Sequence, residues 1–228
     1  NADALFAQTD FEAQTLEDLG IQSRKIHLQG MGVDLQSCTK GNSETARKLW
    51  QLNNNDIIVG HLANLSWDKG STDLLSALEI LWRRGSAAKL VLAGPAMPSF
   101  EKAFRSFPFK DKVIRTGPLS SEEKKDFFAS LDIFALPSRS DSFGIVLLEA
   151  WSNGKPCVVY KAGGPGSLVK HASDGLVVPC DDINSLATAL EKLIIDRKLS
   201  EQLGAAGNSR IAKEFLWEQK FQVFESAL

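Results

Sequence analysis

Short, unbroken apolar runs recur along this chain, each followed by a stretch of helical periodicity, and that alternation restricts the fold more than any other feature. The runs are Ile57-Ile58-Val59, Leu90-Val91-Leu92, Val113-Ile114, Ile133-Phe134-Ala135-Leu136, Val158-Val159-Tyr160 and Leu176-Val177-Val178. None alternates apolar with polar residues, so each reads as a strand covered on both faces. Turn residues close several of them, at Ala93-Gly94-Pro95, Thr116-Gly117-Pro118 and Leu136-Pro137. Between the runs, Ser71 to Arg84 sets Leu74, Leu75, Leu78 and Leu81 on one helical face, with Gly85 as a stop. Ser120-Ser121-Glu122-Glu123 has the form of a capping box and opens a helix to about Ser130. Asp182 to Asp196 carries Ile183, Leu186, Leu190 and Leu193 at helical spacing. The expectation is an α/β fold, a doubly wound, Rossmann-like parallel sheet of about six strands. Ligands of such sheets bind outside the carboxyl ends of the strands.

Composition narrows the function classes. With 228 residues, 43% of them hydrophobic, the chain can bury a core without disulfides or metals. Its 26 basic and 28 acidic side chains leave a net charge of −2, which gives no footing for nucleic acid as the main partner. Cys38, Cys157 and Cys180 fit no zinc spacing, and Cys157 lies in an apolar run as a buried thiol would. A reducing cytoplasm is the expected location. His27, His61 and His171 are widely separated, so no metal and no other cofactor is expected. No apolar run approaches the roughly 20 residues of a membrane span, and no signal peptide is visible.

The ends read differently from the middle. The chain begins at Asn1 and not Met, and is read as a piece of a longer protein. Ala4 to Gln8 looks like a strand with no following partner. Thr9-Asp10-Phe11-Glu12 then offers a capping box for a helix ending near Gly20. Residues 1–22 are read as the remnant of a preceding domain and residues 23–214 as the main domain. Residues 215–228 read as an amphipathic helix, with Trp217, Phe221 and Phe224 on one side, that crosses back toward the preceding domain.

The segment Pro137 to Trp151 carries the chemistry. A strand ends at Pro137, a polar loop follows, and a helix begins near Phe143 or Gly144, with Asp141 or Ser142 placed to cap it. Gly144 lets another group approach the backbone closely. Free N–H groups and the helix dipole make that helix start an anion site. Glu149 sits two turns on, among Ile145, Val146, Leu147, Leu148 and Ala150. A carboxylate there reaches solvent, pairs with a surface Lys, or accepts from the two hydroxyls of a ribose.

The order Pro137-Ser138, an acid at 141, Phe143-Gly144 and Glu149-Ala150 resembles the signature of retaining glycosyltransferases of family four, which have the GT-B fold. The likeness continues through Gly154-Lys155-Pro156, Gly163-Gly164 and Asp174-Gly175 to Phe215-Leu216-Trp217-Glu218. It implies the donor-binding, C-terminal half of such an enzyme, with a nucleotide-diphosphate sugar as donor. Glu149 is then implied to hold the donor ribose, and the backbone of Phe143, Gly144, Ile145 and Val146 to meet its phosphates. Asp141, one methylene shorter than the usual Glu, falls at the catalytic acid near the transferred sugar. Ala63-Asn64-Leu65-Ser66-Trp67-Asp68-Lys69-Gly70 resembles the segment whose Arg and Lys clamp the diphosphate. Lys69 matches that Lys and Asn64 stands at the Arg, with Arg139 or Arg115 as other cations. Gly94, Pro95 and Gly117 to Leu119 fall where the base pocket is walled. Ser167 replaces an expected Glu three residues after the Gly163-Gly164 pair.

The resemblance also implies a sugar or lipid-linked acceptor bound by a missing N-terminal domain, to which any peripheral membrane contact belongs. The chain alone is then expected to transfer sugar poorly or not at all. The competing reading is a non-catalytic nucleotide-sugar-binding module that needs a separate acceptor-binding subunit. A sugar epimerase or an inverting transferase fits the motif series less well. A dinucleotide-dependent oxidoreductase fits least, because no Gly-x-Gly-x-x-Gly follows a strand.

Overall fold

The computed structural model describes residues 2–227, so Asn1 and Leu228, the outer ends of the two terminal segments, lie outside the described residues. The chain opens with β1 (Leu5–Ala7), α1 (Asp10–Asp18) and β2 (Ile26–Leu28). Leu5–Ala7 has a partner after all: it pairs in parallel with β2, Phe6 opposite His27. The sequence hides this because β2 is three residues long and carries a His at its centre. Thr9 caps α1 as expected, its hydroxyl accepting from the Glu12 N–H at 3.2 Å. The Glu12 carboxylate reaches back to the N–H of Gln8, one residue before the cap.

Two short helices follow, α2 (Leu35–Cys38) and α3 (Ser43–Leu49). The main body then runs β3 (Ile58–Leu62), α4 (Ser71–Arg83), β4 (Lys89–Ala93), α5 (Pro98–Arg105), β5 (Val113–Gly117), α6 (Ser121–Ser130) and β6 (Ile133–Leu136). It continues with α7 (Ile145–Ser152), β7 (Cys157–Tyr160), α8 (Gly163–Leu168), β8 (Gly175–Val178), α9 (Ile183–Ile195), α10 (Arg197–Glu214) and α11 (Trp217–Ala227). The six strands β3 to β8 form one sheet in the order β5-β4-β3-β6-β7-β8. Every pairing in it is parallel. This is the expected doubly wound sheet. The strand order reverses between β3 and β6, which is where such sheets open a crevice.

Neighbouring residues of one strand go to opposite apolar layers, as a pleat requires. Val59, Leu90, Leu92, Ile133 and Val158 pack under α4, α5 and α9 with Leu74, Leu78, Phe100 and Leu190. Ile58, Val91, Phe134 and Val159 pack under α6 and α7 with Phe127, Phe128, Leu147, Leu148 and Trp151. Burying each large side chain of this kind contributes about 1.5–3 kcal/mol. That unbroken apolar character is what made the strands readable.

The sequence did not announce α10. Its Gly204 and Gly207 lower intrinsic helix propensity. The structure shows why they are there. A Cβ at Gly207 would lie 2.1 Å from Trp151 Cδ1, and one at Gly204 would lie 2.0 Å from the Gly154 carbonyl oxygen. Close packing of α10 on α7 also brings Arg210 onto the fully buried Asp174. Trp151 Nε1 donates to the Asp174 carbonyl at 2.9 Å. Asp174 and Trp151 are therefore fastening residues of the fold.

Candidate functional site: the loops after β3, β5 and β6

Loops at the carboxyl ends of the sheet's strands gather the singled-out residues. The loop after β6 comes first. The helix expected near Phe143 starts at Ile145, and its N-cap is Gly144, held at φ 80° with no side-chain cap. Only glycine adopts that left-handed conformation without strain. Asp141 caps the loop and not the helix: its Oδ1 accepts from the N–H of Phe143 at 3.3 Å and of Gly144 at 2.9 Å. Among the described residues, the N–H groups of Ile145 and Val146 donate to no backbone or side-chain acceptor. They point to an anion-ready helix start.

Lys69, in the loop after β3, reaches across to this turn. Its Nζ lies 2.9 Å from Asp141 Oδ2 and 2.8 Å from the Ser140 carbonyl. The cation, the acid and the helix start thus form one cluster at the switch between β3 and β6. Asn64 is exposed in the same loop.

The Gly163-Gly164 pair holds the other side of the acid loop. Gly164 N–H donates to the Asp141 carbonyl at 2.9 Å. A Cβ at Gly164 would lie 2.1 Å from the Ser142 carbonyl oxygen, so only glycine permits this approach. Ser167 turns inward to the Gly164 carbonyl at 3.0 Å.

Glu149 is buried on α7, and of the three readings open to it the structure shows the pairing with a Lys. Lys124 Nζ donates to its Oε1 at 2.5 Å, while its Oε2 is shut from solvent with no partner. An unpaired buried carboxylate oxygen is costly, and most such atoms in native proteins have a partner. Lys124 was not singled out from the sequence. A signal was present: it stands in the first turn of α6, where acids are favoured and cations are not.

The capping box of α6 is complete, with Ser120 and Glu123 bonded reciprocally. The loop before it walls a groove of 410 Å³ together with the loop after β4, lined by Leu65, Gly94, Pro95, Arg115, Gly117 and Pro118 among others. Leu119 does not face this groove. It lines a neighbouring one of 590 Å³ with Trp50, Ile114 and Glu123.

The two alternative cations are committed elsewhere. Arg139 donates to Asp73 Oδ2 and Asp181 Oδ1, both at 2.6 Å, and to the Trp67 carbonyl. Its guanidinium stacks 4.1 Å from the Trp67 ring centre. Asp73 is buried and also accepts from Tyr160 Oη at 2.7 Å. Arg139 thus ties three strand-end loops together. Arg115 pairs with Glu101 and lies over Phe104.

His61 braces the same end of the sheet. It is fully buried, with Nδ1 2.8 Å from the Ala135 carbonyl and Nε2 2.9 Å from Ser71 Oγ. Ser71 Oγ also accepts from the Ser66 N–H. Burial lowers the His61 pKa to about 4, so the ring is neutral. It links β3, β6 and the start of α4, the elements that carry Lys69 and Asp141.

Comparison with known proteins identifies the family and the fold. Residues 42–210 match the model of the family "Glycosyl transferases group 1". A GDP-mannose-dependent alpha-(1-6)-phosphatidylinositol monomannoside mannosyltransferase of Mycobacterium tuberculosis is 32% identical over 181 residues, covering 75% of this chain and 47% of that protein. A D-inositol 3-phosphate glycosyltransferase of Rhodococcus erythropolis is 30% identical over 227 residues, covering 95% of this chain and 51% of that protein. The chain spans about half the length of these curated relatives. The crystal structure of Anabaena HepE in complex with UDP has the same fold, with a TM-score of 0.87 at 22% identity over 99% of this chain and 63% of that one. Among the described residues no helix is long and apolar enough to cross a membrane. The chain belongs to the glycosyl transferases group 1 family, and its sheet is the Rossmann-like C-terminal domain of the GT-B fold.

Proposed function

We propose that this chain is the donor-binding part of a retaining glycosyltransferase that moves a sugar from a nucleotide-diphosphate sugar to an acceptor. The observation that carries the reading is the unpartnered, buried Oε2 of Glu149, one helix turn behind an anion-ready helix start. The diphosphate meets the N–H groups of Ile145 and Val146 and the ammonium of Lys69. The same groups stabilise the diphosphate as it leaves, which is where negative charge develops. The base lies in the groove between the loops after β4 and β5, and the ribose reaches Glu149. Asp141 stands beside the transferred sugar. The reading assigns the diphosphate charge to Lys69 and to the N–H groups and dipole of the helix start, and invokes no metal ion.

The acceptor, a sugar or a lipid-linked sugar, belongs to a preceding domain of which β1 and α1 are the last part. α11 crosses back to that unit, where Phe224 lies 5.1 Å from Phe6. The place of action is the cytoplasm. The UDP of the Anabaena structure and the GDP-mannose named for the mycobacterial relative make UDP and GDP sugars the first donors to try.

Saturation-transfer NMR with UDP-glucose, UDP-N-acetylglucosamine and GDP-mannose tests the donor reading. Signal on the base and ribose protons of at least one is expected. No signal with any of them, or robust sugar transfer by this chain alone, contradicts it. Retention is tested in the whole parent enzyme by the anomeric configuration of its product.

A further inference from the structure

A buried carboxylate that serves only the fold has both oxygens hydrogen-bonded. Glu149 does not. The residue is 8% exposed, Oε1 is held by Lys124 at 2.5 Å, and Oε2 has no partner. Lys124 has spare capacity as well. An ammonium carries three donors, and among the described residues Glu149 Oε1 is the only acceptor that Lys124 Nζ holds. The pair therefore presents one free acceptor and free donors side by side.

Its place in the fold adds to this. Lys124 is the fourth residue of α6, the helix that follows the loop whose Gly117 and Pro118 wall the groove beside β5. Glu149 follows on the helix start at Gly144. The pair thus lies on the two elements that flank the base groove and the anion cluster. The other neighbours of Glu149 do not compete for its carboxylate. Cys38 of α2 is a buried thiol and hydrogen-bonds to the Asp34 carbonyl. Asn153 binds the Glu149 carbonyl through its amide. From α10, Asn208 serves the Trp151 and Ser152 carbonyls, and Arg210 serves Asp174 and Glu214.

We propose that Lys124 is a ribose-binding residue, acting with Glu149 as a donor–acceptor pair that reads a vicinal diol. Glu149 Oε2 accepts from one hydroxyl, and Lys124 donates to a hydroxyl oxygen of the same diol. A lone carboxylate uses only the hydroxyl protons, whereas the pair also engages the oxygens. A nucleotide lacking one hydroxyl thus loses contacts to both residues. The inference rests on the nucleotide-binding reading above and adds a residue that no motif match includes.

The test is calorimetric titration of the chain with UDP, GDP and their 2′-deoxy and 3′-deoxy forms. The chain is compared with Lys124→Met, Lys124→Gln and Lys124→Arg. The wild-type chain should prefer the ribonucleotide over at least one deoxy form by about tenfold or more. Lys124→Met and Lys124→Gln should lose most of that preference, and Lys124→Arg should restore it. Damage to folding alone weakens all nucleotides together and leaves the ratio intact. An unchanged ratio in both neutral variants overturns the role of Lys124 and leaves the donor reading standing. Failure of every nucleotide to bind the wild-type chain overturns both.

Discussion

Lys69 Nζ lies 2.9 Å from Asp141 Oδ2, and the other oxygen of that carboxylate accepts the Gly144 N–H at 2.9 Å. One side chain thus satisfies both the cation and part of the backbone cradle assigned to the donor phosphates. Asp141 occupies the site as an internal anion. Its short side chain fits that role, since it reaches the N–H groups two and three residues ahead as an Asx turn does.

Two substitutions separate the partners. Lys69→Ala removes the cation and should weaken nucleoside diphosphate binding about tenfold. Asp141→Asn keeps the cap and removes the charge opposing phosphate, so binding should strengthen by about two- to fivefold. Calorimetry on the two variants checks this. Weaker binding in Asp141→Asn, with its fold intact, would show that the carboxylate holds the donor and does not compete with it.

Acid should loosen the site from within. His61 is buried and neutral, its pKa lowered to about 4 from an ordinary 6.5. The unfolded chain binds the proton more readily, so the stability from the neutral ring is complete above pH 6.5 and is lost as pH falls toward 4. Between pH 7 and pH 5 the loss should be about 2 kcal/mol. Urea unfolding at the two values measures it. His61→Gln should show a smaller loss over the same interval, and an equal loss would assign the acid sensitivity to other groups.

Gly164→Ala should be destabilising even though Ala is the better helix former. The added methyl meets the Ser142 carbonyl oxygen at 2.1 Å, and the atoms it meets are backbone and cannot swing aside. Overpacking of this kind costs about 1–3 kcal/mol. The displaced acid loop should also bind nucleotide less well. Unchanged urea unfolding and unchanged affinity would mean that the loop after β7 does not support the site.

The main sheet was legible because its strands are buried on both faces and so read as unbroken apolar runs. The helices α4, α6 and α9 were legible because their apolar stripes and caps obey local rules. β2 was not, since a three-residue strand with a central His has no periodic signature. α10 was not, since its glycines are selected by contact with Trp151 and Gly154, which lie far away in sequence. The same division holds at the site. Lys69, Asp141 and the Phe143–Gly144 turn follow from local pattern and resemblance. Arg139 looked like a free cation but is tied to Asp73 and Asp181, and Lys124, which was not singled out from the sequence, meets Glu149. Both outcomes depend on contacts between distant segments, which no local pattern encodes.

The most direct test of the account is the affinity of the folded chain for UDP and GDP before and after Glu149→Ala. The carboxylate is nearly fully buried, and one of its oxygens has no partner. Loss of charge-assisted bonds to ribose should cost about 1.5–3 kcal/mol, tenfold or more in Kd, for whichever nucleotide binds. Unchanged affinity, in a variant shown by circular dichroism to be folded, would remove Glu149 from the donor site and contradict the central claim.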